Sequence, residues 1–355
     1  MICFAWDGLP QYGAREIGAF CRMNPGEEVI VISSRPDIPL NLEHIEACVG
    51  CRVIWLDDVA VFPILERLGN VPDVVIQTGW YIPAFNAVGV ACKAGGGIVI
   101  AMNDTNYDGT PVAWLRALRF RFWGYRHRVR PIFNGYMVPG KSGRHLHRIF
   151  GVPDKKIFEG LYGAAPELFY DGGALEKRPK RFLHVGRLDD RKNILMVCSA
   201  FLKIASRHPD WELHICGAGP LRDRIPAHPS IRVDEFVQPE ELSRHYRDAR
   251  CLVLASHQEH WGLVVHEAVL SGCFLLLSEK VGCVPEFACK DNAFLFSPNS
   301  EQELVQQMEK VTVLTEMALG RAREISLRLS KIFSPDVFAR NLTDFIQGQK
   351  NEHLV

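Results

Sequence analysis

The chain has 355 residues and a formal net charge of zero at pH 7. This length exceeds the usual size of a single hydrophobic core and favours two α/β domains. Hydrophobic residues make up 47% of the chain and charged residues 23%, a composition that excludes an extended disordered or collagen-like protein. The balanced charge argues against a protein that coats nucleic acid, so we expect no nucleic-acid partner.

Neither a leader nor a membrane-crossing pattern is visible. No run approaches the roughly 20 apolar residues of a membrane span, and the first residues lack a basic segment followed by a long apolar one. Most of the 11 cysteines sit inside apolar runs, as buried thiols of a reducing compartment do. Cys48 and Cys51 have no second pair at zinc spacing, so core thiols around Gly50 are favoured over a metal or redox site. We expect a cytoplasmic protein without a bound metal.

Short apolar runs rich in β-branched residues alternate with stretches of helical periodicity in the first half of the chain. This alternation predicts βαβ units around a parallel sheet, and hence one doubly wound domain. The predicted strands are 1–4, 29–33, 52–56, 74–77, 98–102 and 131–133, with helices that include 15–23 and 81–93.

Between residues 170 and 180 the periodicity gives way to glycine, proline and charge, which is typical of a linker. We therefore predict a first domain over 1–172 and a second that begins at 173. The strands predicted for the second domain are 181–185, 212–216, 231–236, 251–255 and 274–277.

The loop after strand 181–185 combines a glycine with two cations. Gly186, Arg187 and Lys192 precede a helix that is predicted to begin near Ile194. Ligands of open α/β sheets bind at the carboxyl ends of strands, and a helix N-terminus with Arg and Lys suits a diphosphate. A solvated charged loop is the alternative. The next loop holds Gly217 and a second glycine, which suit either a phosphate or a tight turn.

Two carboxylates flank the start of another helix in the second domain. Glu259 lies in the loop after strand 251–255, and Glu267 lies inside the helix that begins near Gly262. They are predicted to converge on one pocket and to accept hydrogen bonds from sugar and ribose hydroxyls. The N–H groups of Gly262 and Leu263 would point at phosphate between them. A solvated helix face is the alternative, but the apolar residues from Val264 onward predict a buried helix, where an unpaired carboxylate is costly.

Five ordered motifs in the C-terminal half resemble glycosyltransferase family 4, whose members are retaining enzymes of the two-domain GT-B type. The resemblance implies two Rossmann-like doubly wound parallel-sheet domains that face a cleft. It also implies a C-terminal helix, within 333–355, that crosses back to the N-terminal domain. The matching motifs are Gly186-Arg187-Leu188 with Lys192, Gly217-x-Gly219-Pro220, Phe236-Val237 before Glu240, Glu259-x7-Glu267 around Trp261-Gly262, and Gly282-x-x-Pro285-Glu286.

The resemblance also implies roles for individual residues. Arg187 and Lys192 would hold the donor diphosphate, Glu267 the ribose and Glu259 the donor sugar. Such enzymes need no metal ion, which fits the absence of any Asp-x-Asp in this sequence. The donor is expected to be a UDP- or GDP-sugar. The further residues assigned to the donor site are Gly13, Gly186, Gly217, Phe236, Val237, Trp261, Gly262, Leu263 and Val264.

The N-terminal half matches the family less closely. Only Gly13 aligns where family members usually show Gly-Gly, and Asn103-Asp104 stands where they often carry His-Asp. Asp104 is a candidate to orient the acceptor hydroxyl or to receive its proton. Capping of the next segment is an equal alternative.

From 109 to 153 the chain carries no acidic residue but many arginines, interleaved with aromatic residues. The stretch from Trp114 to Arg130 therefore suits anionic lipid headgroups or a lipid diphosphate acceptor. A solvated helix face, with the aromatic side chains in the core, is the alternative.

Together these observations predict a retaining glycosyltransferase that acts on a glycan or a polyprenyl-diphosphate-linked acceptor. The expected setting is bacterial surface polysaccharide or lipopolysaccharide assembly at the inner face of the cytoplasmic membrane. The alternatives are a catalytically inactive GT-B scaffold and another GT-B enzyme, such as a phosphorylase or an epimerase. A nicotinamide dehydrogenase is disfavoured because no loop provides Gly-x-Gly-x-x-Gly at the start of a helix.

Overall fold

The structure is a computed structural model that describes residues 1–36, 40–56, 64–105 and 110–352. The chain divides into two compact units, Met1–Gly163 with Phe333–Val355, and Ala164–Ile332. The boundary predicted at 172 lies inside the second unit. Residues just before it are already bound there, since the Ala164 N–H donates to His266 at 2.9 Å and the Phe169 ring packs on Tyr246.

The first unit is a doubly wound parallel sheet. Its strands are β1 (Ile2–Trp6), β2 (Val29–Ser34), β3 (Arg52–Leu56), β4 (Val74–Thr78), β5 (Ile98–Met102), β6 (Gly135–Val138) and β7 (Ile157–Glu159). Its helices are α1 (Gln11–Met23), α2 (Leu42–Val49), α3 (Ile64–Leu68), α4 (Pro83–Ala94), α5 (Pro111–Phe120), which continues as a π-helical segment (Arg121–Val129), and α6 (Lys141–Phe150). All strands are parallel in the order β3-β2-β1-β4-β5-β6-β7, so the fold predicted for this half is confirmed.

The strand predicted at 131–133 is wrong. Phe133 is buried, but its N–H donates to Val129, so this apolar run continues the preceding helical turn. The strand lies just beyond it, at β6, and starts with Gly135. A Cβ at Gly135 would lie 2.2 Å from the Phe345 ring, so the glycine makes room for an aromatic side chain. That glycine also weakens the apolar pattern by which a strand is recognised.

The second unit repeats the architecture with six strands. They are β8 (Arg181–Val185), β9 (Glu212–Cys216), β10 (Ile231–Asp234), β11 (Cys251–Leu254), β12 (Phe274–Ser278) and β13 (Ala293–Phe296). The helices are α7 (Ile194–Ala205), α8 (Pro239–Asp248), α9 (Leu263–Leu270), α10 (Val284–Phe287), α11 (Glu301–Thr312) and α12 (Glu316–Leu329). The parallel order β10-β9-β8-β11-β12-β13 matches that of a dinucleotide-binding sheet. Of the predicted strands only 231–236 is noticeably too long, and β13 was not predicted.

The last helix, α13 (Pro335–Glu352), returns to the first unit, as predicted. Phe338, Leu342 and Ile346 recur four residues apart and form one buried apolar face. Asn24 at the end of α1 donates to Thr343 at 2.9 Å, which fixes α13 against that helix. Among the described residues, no helix combines the length and apolar composition that a membrane crossing requires.

One carboxyl group of α1 is fully buried. Glu16 is fully buried, and its Oε1 accepts the Gly163 N–H at 2.8 Å. The other oxygen has no hydrogen-bond partner among the described residues. Burial raises the pKa of Glu16 to about 8, so the group keeps its proton at neutral pH.

Glu16 therefore predicts a pH-dependent stability. Because its folded-state pKa is raised, its contribution is complete below about pH 4.5 and is lost as the pH rises to about 8. Glu16→Gln imitates the protonated form, so the free energy of unfolding of this variant, relative to that of the natural chain, should increase with pH. The difference should increase by on the order of 3 kcal/mol between pH 5 and 8, measured by urea denaturation. The exposed Glu43→Gln in α2 is the matched control, and equal pH slopes for all three proteins would contradict the assignment.

Candidate functional site

The loops after β8 and β9 approach each other backbone to backbone. The Gly186 N–H donates to the Cys216 carbonyl at 3.1 Å, and the Leu188 N–H donates to Ala218 at 2.9 Å. A Cβ at Gly217 would lie 1.9 Å from the Gly186 carbonyl oxygen, closer than any real Cβ contact. These contacts favour the tight-turn interpretation of the glycines, because only residues without side chains fit there.

Lys192 is turned inward by a short helical turn, Asp190–Lys192. The Asp189 carboxylate accepts the Lys192 N–H at 3.0 Å and so caps this turn. The Lys192 ammonium forms an ion pair with Glu259, and the two side chains are only 9% and 12% exposed. Arg191 lies 3.5 Å from the other oxygen of Glu259, so this carboxylate has two cationic partners. Helix α7 starts at Ile194, as predicted.

Arg187, the other predicted phosphate ligand, takes a different position. Its side chain is 71% exposed, and its Nε lies 3.6 Å from the Asp189 carboxylate. The structure thus brings together Lys192 and Glu259, while the Arg187 guanidinium faces solvent.

Glu259 is held in place by the neighbouring loop after β12. Its N–H donates to the Lys280 carbonyl at 3.1 Å, and its own carbonyl accepts the Gly282 N–H at 2.9 Å. The Ser256 hydroxyl donates to its carboxylate at 3.4 Å. The Gly282 motif seen in the sequence therefore anchors the loop that carries Glu259.

Gly262 turns the chain into α9. Its φ of 92° lies in the left-handed region, and a Cβ there would come within 3.1 Å of Val281. No side chain among the described residues caps this helix. The N–H groups of Leu263 and Val264 stand in its first turn, where a helix has no internal acceptor for them. Trp261 is buried and packs edge-on against Phe287, so it anchors the turn from the core.

Glu267 has a partner that the sequence did not reveal. The hydroxyl of Tyr246, a fully buried residue of α8, donates to Glu267 at 2.6 Å. Burial raises the pKa of Glu267 to about 7. Tyr246 thus orients the Glu267 carboxylate through one of its two oxygens. Phe236 and Val237 lie just beyond β10, and Phe236 is 40% exposed.

In the first unit, Asp104 is part of a cluster of tyrosines. Its carboxyl group is hydrogen-bonded to the Tyr162 hydroxyl, and that hydroxyl is also hydrogen-bonded to Tyr12. Burial raises the pKa of both tyrosines above their usual range. The next helix, α5, is capped by Thr110, whose hydroxyl accepts the Ala113 N–H at 3.1 Å, while the Asn103 side chain accepts the Thr105 N–H at 2.9 Å. Sequence reasoning identified Asp104 but missed the tyrosines, because they lie in distant segments.

Gly13, which the sequence assigned to the donor site, lies in α1 against the Trp6 ring. A Cβ at Gly13 would come within 2.7 Å of that ring. Close packing against Trp6 therefore explains why a glycine stands at this position.

The basic stretch from Trp114 to Arg130 exposes part of its aromatic content. Trp114, Phe122 and Trp123 are 45%, 54% and 75% exposed, whereas Tyr125 is buried and Phe120 stacks on Trp80. Part of the aromatic content thus packs inside, as the alternative predicts, and part of it is exposed.

Part of the sequence is similar to known proteins. Residues 171–319 match the family model for glycosyl transferases group 1. Over 189 residues the chain is 24% identical to the alpha-1,3/1,6-mannosyltransferase ALG2 of Mus musculus. That alignment covers 46% of this chain and 44% of the relative, so the chain spans less than half the length of this relative.

The architecture is similar to solved structures over nearly the whole chain. A glycosyltransferase from Rickettsia africae ESF-5 has a TM-score of 0.75 at 14% identity and 98% coverage of both chains. Anabaena Alr3699/HepE in complex with UDP and glucose has a TM-score of 0.72 at 13% identity, over 98% of this chain and 99% of that one. The fold is GT-B. Within this GT-B chain, the predicted donor-site residues from Gly186 to Glu267 all fall inside the matched family region.

The Lys192–Glu259 pair predicts a stability effect that surface pairs do not share. Glu259→Gln should lower the free energy of unfolding of the GT-B protein by on the order of 3 kcal/mol, because it leaves the nearly buried Lys192 ammonium uncompensated. Lys192→Met should cost less, because Arg191 remains beside the Glu259 carboxylate. The double variant should lose less than the sum. Urea denaturation measures this.

The matched control is the exposed pair of Arg207 and Glu309. Removing either member should cost less than about 1 kcal/mol. Equal costs for the two pairs would contradict the buried character of the Lys192–Glu259 contact.

Proposed function

We propose that this chain is a retaining glycosyltransferase whose nucleotide-sugar donor binds to the second unit. The observation that carries the proposal is the Lys192–Glu259 pair beside the glycine turn of Gly186 and Gly217. It lies at the carboxyl end of a parallel sheet, where ligands of such sheets bind. The match of this region to glycosyl transferases group 1 supports the same function.

The donor diphosphate would be bound by charge and by backbone N–H groups. Lys192 supplies an ammonium, and the first turn of α9 supplies the N–H groups of Leu263 and Val264. The exposed Arg187 guanidinium adds a second cation. A cation about 4 Å from a phosphate contributes on the order of 4 kcal/mol at an effective dielectric of 20, so two cations offset much of the leaving-group charge. We infer that the transfer needs no metal ion at the diphosphate.

The two carboxylates would bind the two sugars of the donor. Glu267, oriented by Tyr246, accepts hydrogen bonds from the ribose hydroxyls. Glu259 faces the transferred sugar once the diphosphate has replaced it as the ionic partner of Lys192. Phe236 and Val237 would contact the base. The relative solved with UDP and glucose favours a UDP-sugar over a GDP-sugar.

The acceptor would be bound by the first unit beside Asp104. The acceptor oxygen forms a bond to the anomeric carbon while the bond from that carbon to the diphosphate breaks. The departing phosphate oxygen can accept the hydroxyl proton, so a strong protein base is not required. Asp104 orients the acceptor hydroxyl. The exposed aromatic and basic stretch from Trp114 to Arg130 supports a glycan acceptor that is linked to a polyprenyl diphosphate at an anionic membrane surface, as in bacterial surface polysaccharide assembly.

A second candidate is a GT-B scaffold that binds a nucleotide sugar without turnover. Asn103 favours it, because this residue stands where related enzymes often carry a histidine and cannot take a proton. Turnover of a UDP-sugar by the natural chain would exclude it.

Donor binding and turnover should separate in one variant. In Glu259→Gln UDP should bind at least as tightly as to the natural chain, because the diphosphate compensates the Lys192 charge that the variant leaves unpaired, while turnover should fall by at least about 100-fold. Lys192→Ala should instead weaken UDP binding by about 10- to 100-fold, because a charge-assisted contact is lost. Titration calorimetry and release of UDP from UDP-sugars measure the two quantities.

Glu309→Gln is the matched control for the loss of one carboxylate and should change neither quantity. Addition of EDTA should leave turnover unchanged. No stabilisation of the natural chain by UDP-, GDP- or ADP-sugars would contradict the donor site, since a ligand at about 100 times its dissociation constant adds about 2.7 kcal/mol.

The membrane surface makes its own prediction. The chain should co-sediment with phosphatidylglycerol vesicles and much less with neutral phosphatidylcholine vesicles, and salt should weaken the binding. The double variant Trp114→Ala with Trp123→Ala should lower the bound fraction severalfold. Met317→Ala, which removes an exposed apolar side chain from α12, is the control. Equal binding to both vesicle types would contradict this surface.

A further inference from the structure

One face of the second sheet collects four side chains that commonly bind metals. His214 and Cys216 are two residues apart on β9 and therefore point to the same face. Asp234 on β10 is the register partner of Cys216, and His245 comes from α8. One potential ligand atom from each residue lies within 4.8 Å of the others, the one such group that the described residues form.

The geometry inside this group, which we call the His-Cys-Asp cluster, is compact. The His214 Nε2 lies 2.6 Å from the Asp234 carboxylate, and the His245 Nε2 lies 3.9 Å from the same oxygen. The two imidazole rings stand edge to face at 4.6 Å. His214 is buried, and its Nδ1 has no hydrogen-bond partner among the described residues.

The chemistry of the cluster suits a borderline-soft divalent ion. Imidazole nitrogen, thiolate sulfur and carboxylate oxygen are the ligands of zinc, and four of them make a closed tetrahedral site. Burial lowers the pKa of both His214 and His245, which keeps the imidazoles neutral. Burial also raises the pKa of Cys216 to about 12, so binding would require the ion to displace the thiol proton.

Cations also lie beside the cluster. Arg232 Nε is 3.2 Å from the second oxygen of Asp234, and the charges of Arg232 and Arg181 act on His245. Arg232 is mostly exposed and binds the oxygen that does not face the histidines. It therefore orients the carboxylate, a common task for a group outside a metal's own ligands.

We propose that His214, Cys216, Asp234 and His245 form a structural zinc site. No metal was expected from the sequence, because Cys48 and Cys51 lack a second pair and the family resemblance implies a metal-free transfer. The four residues of the cluster are separated by one, 17 and ten intervening positions, which no short zinc motif resembles. The site is separate from the proposed metal-free diphosphate contacts. The Asp234 carbonyl accepts the Gly217 N–H at 3.0 Å, and Cys216 directly precedes that glycine. The ion would thus fix the ends of β9 and β10 from which two donor-site loops begin.

Metal content and cobalt spectroscopy test the site. The full chain, stripped of metal and incubated with zinc, should retain about one equivalent after desalting, and its Tm should rise by about 5 °C. Cobalt(II) should give the visible bands of a tetrahedral complex and a near-ultraviolet thiolate charge-transfer band. Cys216→Ser should lose the charge-transfer band, and His245→Asn should lose most of the retained metal.

Cys289→Ser and His228→Asn are the matched controls, and both should keep the metal and the spectrum. If Cys216→Ser does not fold, the partly exposed His245 and the cobalt spectrum of the natural chain decide the matter. Retention below about a tenth of an equivalent, a cobalt spectrum without thiolate, or equal metal content in His245→Asn would each overturn the proposal. The UDP titrations described above are read separately, so failure of the zinc site does not imply failure of the donor site.

Discussion

A nearly buried ion pair is the interaction on which the candidate donor site depends. Lys192 follows β8 and Glu259 follows β11, so the pair joins loops that are 67 residues apart. Neither side chain keeps much water, so the Lys192 ammonium is tolerable only because Glu259 is present, and Arg191 is a second cation beside that carboxylate. The surrounding backbone must therefore bring the two loops to one fixed separation. Two sets of contacts fix this separation. The Gly186 and Gly217 backbones approach closely on one side, and Glu259 forms backbone hydrogen bonds with Lys280 and Gly282 on the other.

The second unit was predictable from the sequence because its site is built from local patterns. Each apolar strand ends where a short motif begins, and parallel strands present those ends at one edge. The pairing of Lys192 with Glu259 was not predicted, although both residues were identified, because the sequence assigned them to different parts of a ligand. Tyr246 was missed for another reason. A tyrosine on an amphipathic helix has the spacing of an ordinary core residue, and only the fold places its hydroxyl on Glu267.

The first unit was harder to predict because its decisive contacts join distant segments. Gly135 interrupts the apolar pattern of β6 because a side chain there would collide with Phe345, which lies some 200 residues further along the chain. Glu16 is paired with the N–H of Gly163, 147 residues away, and no local pattern marks a protonated carboxyl. The tyrosines around Asp104 likewise come from separate elements. The overall sheet was still predictable, since the strands near its centre are continuous apolar runs.

On the proposed function, the same ion pair also decides which ligands the site admits. A diphosphate that reaches Lys192 replaces the Glu259 carboxylate as the anion beside the ammonium. The attraction of about 4 kcal/mol between two charges 4 Å apart is therefore kept. Glu259 is then released to accept hydrogen bonds from sugar hydroxyls, for which a carboxylate has only acceptor oxygens. A nucleoside without phosphates offers no anion to Lys192. Lys192 and Glu259 would then stay paired, because separating them without a substitute anion leaves the nearly buried Lys192 ammonium uncompensated. On the proposed function, the site would thus couple recognition of the diphosphate to exposure of the carboxylate that faces the sugar.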